Sequence, residues 1–324
     1  LLYLSQTDVK AAIGMAEAIE IMAGAFRELS ADRVTTAQRT HLQTADETGH
    51  FLTMPVYAPQ QGQFAVKSVT VFPTNSSRQM PTIHAMVLLF DGKTGHPLAL
   101  MDGESVTTLR TGAASGLATR LLANNEATVA AIIGAGAQAA TQLEAMAAVR
   151  PISKCLVFNR TKSKGEAFAK TMAERLGLQV SSVDSADALS QADILCTATS
   201  GKTPCFGARH LKAGVHINAV GSFRPDMQEV PGDVVASAKL VVDQRKACLE
   251  EAGDVIIPIG KGQITADHIR AELGELVDTP ELGRQNRQEV TMFKSVGHGI
   301  QDLAVASHVY RKALELGLGT VLPS

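Results

Sequence analysis

The stretch Val129-Ala130-Ala131-Ile132-Ile133-Gly134-Ala135-Gly136-Ala137-Gln138-Ala139 sets the architecture of the chain. Five apolar residues read as a buried strand and run without a break into Gly-x-Gly-x-x-Ala, which opens a helical stretch stopped at Pro151. Each small residue in that turn has a steric task. Gly134 permits the tight turn, Gly136 lets the backbone approach a pyrophosphate, and Ala139 lets the helix pack closely on the strand. The helix N-terminus adds free N–H groups and a partial positive charge. With a second strand expected at 155–158, the segment reads as the first unit of a dinucleotide-binding sheet. Gly134, Gly136, Ala137 and Gln138 become candidate cofactor residues.

Downstream, short apolar runs at 179–183, 194–197, 215–220 and 240–242 alternate with helical or loop segments. Such alternation implies a parallel sheet covered on both faces, a Rossmann-type doubly wound α/β domain expected over 119–300. Upstream the texture differs. Ser5 followed by Asp8 resembles a helix start, and Ile19, Met22, Ala23 and Phe26 recur at helical spacing, so an amphipathic helix opens the chain. Strand-like runs at 51–57, 64–72, 85–90 and 96–101, with a hairpin loop at Asp91-Gly92-Lys93-Thr94-Gly95, give an α+β domain with an antiparallel sheet. A helix of small residues follows at 108–117. A stretch from about Ser295 to Leu318 reads as helical again; residues 1–118 form this domain, completed by 301–324, and the 324-residue length suits two domains.

Composition removes several classes of function. The hydrophobic fraction is 45% and the charged fraction 19%, which is ordinary for a globular protein. Thirty basic residues against 32 acidic ones give a net charge of -2, so no global field draws the chain to nucleic acid or an anionic membrane. The longest apolar stretch, 127–140, is too short to span a bilayer as a helix, and the first residues lack a signal-peptide pattern, so the expected compartment is the cytoplasm. Four scattered cysteines, Cys155, Cys196, Cys205 and Cys248, read as buried thiols, not as a zinc site or disulfide framework. No Gly-x-Ser-x-Gly elbow or His-Glu-x-x-His occurs, the nine histidines show no metal-ligand spacing, and no metal is expected. His41, His84 and His298 could line the site, but each alone reads more readily as structural.

The end of the second strand bears on the choice of nicotinamide cofactor. An acidic residue there binds the ribose hydroxyl and repels a phosphate. Here the sequence is Asn159-Arg160-Thr161-Lys162-Ser163-Lys164, with no acid and with a guanidinium and a hydroxyl where a 2′-phosphate would lie. NADPH is favoured, with NADH the weaker alternative. The same residues also admit a plainer use, Thr161 as a helix cap and Arg160 as a surface charge. Thr197, Ala198 and Thr199, after the fourth strand, are further candidate contacts.

Two cations occupy unusual settings. Lys67 shares a strand face with Ala65, Val69 and Val71, where a lysine needs an anion to offset desolvation. Arg110 lies near the start of the small-residue helix as read, so its charge and the helix N-terminus would address one anion together. Arg39, before an expected strand, reads alone as a surface residue.

Over essentially its whole length the chain resembles the ornithine cyclodeaminase and mu-crystallin family. The matching stretches are Arg39-Thr40-His41, Val66-Lys67-Ser68, Met80-Pro81-Thr82, Leu109-Arg110-Thr111-Gly112, the Gly134 turn, His216-Ile217-Asn218-Ala219-Val220-Gly221 and Ser295-Val296-Gly297. The resemblance implies that Arg39, Lys67 and Arg110 hold the carboxylate of a small amino or imino acid, with Val296 at its ring. It adds Thr82, Thr111, Val220 and Ser222 to the cofactor contacts, and it implies a homodimer built through the N-terminal domain.

Within that family, cyclodeaminases carry an aspartate two residues after a Val-Gly pair. The loop here is Val220-Gly221-Ser222-Phe223-Arg224-Pro225-Asp226, which puts Phe223 at that position, a side chain without acid–base capacity. The loop and Asn159-Arg160-Thr161 resemble the ketimine-reductase branch instead. The expectation is NADPH-dependent reduction of pyrroline-2-carboxylate to L-proline, with piperideine-2-carboxylate as a second substrate. Lys67 and Arg110 are its catalytic candidates, with Lys67, or an ordered water, as proton donor. Asp226 is expected mainly to hold Arg224 or to cap the next segment. The alternatives are an ornithine cyclodeaminase, an alanine dehydrogenase using NAD, and a binding protein that uses NADPH to shape a ligand pocket.

Overall fold

Ser5 begins the first helix as its spacing predicts. Its hydroxyl accepts from the Asp8 amide at 3.4 Å, while Asp8 Oδ2 accepts from the Ser5 amide at 2.9 Å. The single opening helix expected from the apolar spacing is in fact two. The first, α1 (Gln6–Ala12), ends where Ile13 turns extended, and α2 (Met15–Ser30) starts again after Gly14. Ile19, Met22 and Phe26 are buried on α2, with Ala25 taking the place expected of Ala23.

The computed structural model describes residues 1–37, 39–46 and 48–323. It resolves into two units, Leu1–Arg110 with the chain from His298 onward, and Thr111–Gly297. The division after Arg110 falls inside a continuous helix.

The first unit holds strands β1 (Leu2–Leu4), β2 (Thr35–Thr36), β3 (Thr40–Gln43), β4 (His50–Ala58), β5 (Gln63–Val71), β6 (Ile83–Asp91) and β7 (Pro97–Asp102). With the short strand Thr320–Val321 they form an eight-stranded sheet. Its order is Thr320–Val321, β1, β7, β6, β5, β4, β2, and β3 also pairs with β4. Every pairing is antiparallel except that of β1 with β7. The register sets Lys67 of β5 between Met54 of β4 and Val87 of β6. Because strand residues alternate faces, Met54, Val56, Ala65, Val87, Leu89 and Met101 share the side of Lys67 and are buried with it. The helix Gly299–Leu316 packs on β4, β5 and β6, and on α2. On the other side of the sheet Phe51, Phe64 and Met86 remain exposed.

Helix α3 (Gly103–Leu122) follows β7 and carries the small residues noted in the sequence. It begins earlier than the sequence suggests, so Arg110 sits about two turns inside it and not at its N-terminus. The expected pairing of Arg110 with the helix dipole is therefore replaced by side-chain contacts.

The second unit runs β8 (Val129–Ile133), α4 (Ala139–Val149), β9 (Lys154–Phe158), α5 (Lys162–Leu176), β10 (Gln179–Val183), β11 (Ile194–Thr197), β12 (His216–Ala219), β13 (Lys239–Val242), β14 (Ile269–Glu272) and β15 (Thr291–Lys294). All strands are parallel, in the order β10-β9-β8-β11-β12-β15-β13-β14. Alternate residues bury on opposite faces, Ala131, Ile133, Leu195 and Ile217 in one core and Ala130, Ile132, Val157 and Cys196 in the other. Strand order reverses between β8 and β11, where a doubly wound sheet opens its ligand crevice. The sequence reading ended this sheet at 240–242, and β14 and β15 correct it. Thr291 and Lys294 break the apolar run of β15, yet all four of its residues are buried between β12 and β13. The final helix consequently starts at Gly299 and not near 295.

Cys155, Cys196 and Cys248 are buried free thiols, whereas Cys205 is exposed, which corrects its assignment to the core. No helix among the described residues is long and apolar enough to cross a membrane.

Candidate active site

Lys67 is 4% exposed, and the anion its burial requires is supplied by Asp302, in the first turn of the helix Gly299–Leu316. Lys67 Nζ lies 2.9 Å from Asp302 Oδ2, and Arg110 Nε lies 3.1 Å from Oδ1, so one carboxylate bridges both cations. Gln301 Oε1 accepts from Arg110 Nη1 at 2.7 Å and from the His298 amide at 3.1 Å. That second bond closes the capping box of the helix, so the same side chain fixes the helix start and the guanidinium. His298, one of the secondary candidates, serves as the N-cap residue, its Nδ1 accepting from the Ile300 amide.

Arg39 is half-buried and close enough to act on Lys67 electrostatically. Burial pushes the Lys67 ammonium down to about 8; Asp302 opposes that shift, while Arg110 and Arg39 add to it. Burial works to raise Asp302, yet Lys67 and Arg110 hold its carboxyl below the usual range. Two cations thus meet one carboxylate with Arg39 acting on Lys67 from nearby, leaving an excess of positive charge suited to a second carboxylate from solution. Of the expected substrate residues, the first unit brings together Arg39, Lys67 and Arg110. Val296 belongs to the second unit, where its amide donates to Asp243 Oδ2 at 2.8 Å together with that of Gly297.

In the second unit the glycine turn has the geometry its sequence requires. Gly134 has φ +102°, and a Cβ there would lie 2.7 Å from the Ala198 carbonyl, so no other residue fits without strain. At Gly136 a Cβ would meet nothing within 4 Å, and Gly136 and Ala137 are exposed, which leaves the turn's backbone open to a phosphate. The Gly134 amide donates to the Phe158 carbonyl at 3.0 Å and the Ala135 amide to Asn159 Oδ1 at 3.1 Å. Asn159 Nδ2 in turn donates to the Thr161 carbonyl at 2.7 Å. The turn is thereby tied to the end of β9, where Arg160 and Thr161 are exposed, and Thr161 occupies the N-cap of α5 without a side-chain capping bond. Gln138 is the N-cap of α4.

The loops after β11 and β12 carry the other cofactor candidates. Thr197 and Ser222 are buried, and Ala198, Thr199 and Val220 are half-buried. Ser222 uses its hydroxyl on the Met227 carbonyl at 2.7 Å. Thr111 is buried one residue past Arg110 on α3, and Thr82 is exposed in the first unit. Among the described residues no cluster of His, Cys, Asp and Glu could hold a metal ion.

A sequence model of the ornithine cyclodeaminase/mu-crystallin family matches residues 2–317. The chain belongs to that family. It is 43% identical over 321 residues to a Delta(1)-pyrroline-2-carboxylate reductase from Bacillus cereus, covering 98% of both chains. A solved Thermococcus litoralis Delta(1)-pyrroline-2-carboxylate reductase, in complex with NADH and L-proline, is 42% identical with a TM-score of 0.96 over 99% of this chain and 100% of the other. A solved archaeal alanine dehydrogenase dimer with bound NAD is 33% identical, TM-score 0.92, over 98% of each.

Among family members the segment after the Val-Gly pair is therefore of particular interest. Phe223 is exposed, and Arg224 forms a two-pronged ion pair with Asp226 at 2.9 and 3.1 Å, as expected of a structural aspartate. Lys202 joins them, 3.1 Å from Asp226.

Two acidic residues escaped the sequence reading. Asp302 in Gly299-Ile300-Gln301-Asp302 looks like an ordinary acid in a first helical turn, where it favours the dipole. The available signal was Lys67 itself, whose apolar strand face demanded a partner that had to come from elsewhere in the chain. Glu229, in Gln228-Glu229-Val230-Pro231, gave no signal at all.

Proposed function

We propose that the chain reduces a cyclic ketimine carboxylate, pyrroline-2-carboxylate to L-proline, and also piperideine-2-carboxylate to L-pipecolate, with NADPH preferred over NADH. The observation that carries this reading is the buried Lys67–Asp302–Arg110 bridge with its excess positive charge, in a chain 43% identical to a pyrroline-2-carboxylate reductase. Phe223, in place of the aspartate of cyclodeaminases, supports a reductase over a lyase. The exposed Arg160 near the glycine turn, with no acid at the end of β9, supports NADPH.

The dinucleotide, when bound, supplies a hydride to the imine carbon. The backbone of Gly134–Gln138, with Asn159, Arg160 and Thr161, would hold its phosphates and adenosine ribose, and the loops at 197–199 and 220–222 its other end. Arg110 and Arg39 take the substrate carboxylate and so fix which face of the ring is presented. Arg110 is itself immobilised by Asp302 and Gln301, so little side-chain freedom is lost on binding. Addition of hydride leaves an electron pair on nitrogen, and Lys67 Nζ provides the proton. Its lowered affinity for that proton, near 8, suits it to release one near neutrality, and Asp302 holds the ammonium in place beforehand.

We further propose that two copies pair through the outer face of the first unit's sheet. Phe64 is 44% and Met86 53% exposed there, and a depression of about 320 Å³ lined by Pro55, Phe64, Val66 and Phe90 lies on the same unit. The archaeal alanine dehydrogenase being a dimer supports this. A Met86→Glu variant is expected to sediment as a monomer, and an unchanged sedimentation coefficient sinks the assignment of this face.

The test of function is loss of NADPH absorbance with pyrroline-2-carboxylate, run beside NADH and beside ornithine assayed for ammonia. Rapid NADPH oxidation without ammonia is the expected result. Ammonia from ornithine without net cofactor change overturns the reductase in favour of a cyclodeaminase.

A further inference from the structure

We infer that Glu229 is a positioning residue that sets the loops after β11 and β12 for the nicotinamide end of the dinucleotide; this rests on the dinucleotide reading above. Glu229 is 4% exposed, and its carboxylate receives five hydrogen bonds, four from those two loops and one from Thr197 at the end of β11. Oε1 accepts from the Thr199 amide at 2.6 Å and the Thr199 hydroxyl at 2.7 Å. Oε2 accepts from the Gly221 amide at 2.7 Å, the Ser222 amide at 2.9 Å and the Thr197 hydroxyl at 3.2 Å. One oxygen holds mainly one loop, and the other mainly its neighbour.

The loops also touch through their backbones. A Cβ at Gly221 would lie 2.2 Å from the Thr199 carbonyl, and one at Gly134 2.7 Å from the Ala198 carbonyl. The glycine turn and the two loops are therefore three adjoining surfaces at the carboxyl ends of β8, β11 and β12, with the reversal of strand order between the first two. Since the turn takes the pyrophosphate, the loops beyond it along the sheet face the nicotinamide half. Glu229 itself is held from behind. Asp254 Oδ1 accepts from the Glu229 amide at 2.6 Å and the Val230 amide at 2.9 Å. The fully buried Lys294 lies 3.0 Å from Asp254 Oδ2 and donates to the Ser222 carbonyl at 2.6 Å.

A buried carboxylate carries a large desolvation cost, which apolar packing of equal volume avoids. Burial accordingly pushes the Glu229 carboxyl above its ordinary range, against the pull of Lys294. What the charge provides is geometry: two acceptor oxygens that fix three amides and two hydroxyls at once. An amide side chain has only one acceptor and would turn its NH2 group toward donors on one of the two loops.

The experiment is Glu229→Gln, with dinucleotide binding followed by fluorescence and turnover followed with NADPH deuterated at the transferred position. The dissociation constants for NADPH and NADH are expected to rise by the same factor, tenfold or more, since Glu229 acts away from the 2′-phosphate. The deuterium isotope effect on kcat is expected to grow as a loosened nicotinamide makes hydride transfer limiting. A lower melting temperature and a smaller active fraction, with unchanged dissociation constants and isotope effect, overturn the positioning role. Should Glu229→Gln not fold, Thr199→Val removes one donor and is expected to move both readouts in the same direction, by about threefold; no movement overturns the proposal. If the unmodified protein binds neither dinucleotide, the dinucleotide reading fails before Glu229 is tested.

Discussion

The glycine turn of the second unit and the charged cluster of the first would hold an anion in different ways. The turn lies within one strand–turn–helix segment and offers backbone N–H groups that carry no net charge. The cluster draws Lys67, Arg110 and Asp302 from three separate elements, with the half-buried Arg39 near Lys67, and buries full charges. A backbone site tolerates loss of a neighbouring side chain, because the amides stay where the fold puts them. A buried ionic site does not, because removing one member leaves another charge unpaired, at a cost of about 3–5 kcal/mol. On the proposed function, the same ligand class would be bound by a robust device in one unit and a fragile one in the other.

Arg110→Ala is the strongest challenge to this contrast. It removes the proposed carboxylate ligand and halves the positive charge facing Asp302, so kcat/KM for pyrroline-2-carboxylate is expected to fall by about 10³ or more, roughly 4 kcal/mol. Dinucleotide affinity should change by less than about threefold, since the turn shares none of these charges. Steady-state kinetics set beside a fluorescence titration of NADPH measures both, and comparable losses in the two would show that the sites are not independent.

Asp302→Asn comes next, with a loss of about 10² expected in kcat/KM and a distinct signature in pH. Asp302 raises the Lys67 proton affinity against burial, and without it the ammonium titrates below its present value of about 8. A proton donor must be protonated to act, so the alkaline limb of the pH–rate profile should move to lower pH. A limb that stays in place would mean that Lys67 is not the group titrating. The variant also leaves two buried cations without a counter-charge, so its melting temperature should drop.

The difference between the two regions also explains what the sequence could reveal. Gly134, Gly136 and Ala139 sit within six positions and each answers a local steric demand, so strand, turn and helix were legible together. Lys67 was legible as an anomaly, because strand alternation alone puts it on an apolar face. Its partner was not: Asp302 lies on a helix far along the chain, and its first-turn position has an ordinary explanation. Glu229 was hidden more deeply, since five donors reach it only after β11 and β12 pair in parallel. Strand β15 was missed for the opposite reason, a lysine and a threonine in a four-residue strand that the fold nonetheless buries completely. Local backbone chemistry is written in consecutive residues, whereas charge compensation across elements is written only in the fold.

Arg160→Ala is the gentlest probe and tests the turn by its specificity. Arg160 is exposed at the end of β9, and the turn is anchored to that strand end through Asn159 and the Phe158 carbonyl, not through the guanidinium. Removing the side chain should therefore leave the turn intact and NADH binding nearly unchanged. NADPH binding should weaken by about tenfold, or 1.4 kcal/mol, the scale of one exposed charge-assisted contact to a phosphate. The effect should shrink as salt rises, because an exposed pair is screened. Equal weakening of both dinucleotides would place Arg160 away from the 2′-phosphate. A selective, salt-sensitive loss would instead show that the neutral backbone turn supplies the binding common to both cofactors, with a single surface cation added to choose between them.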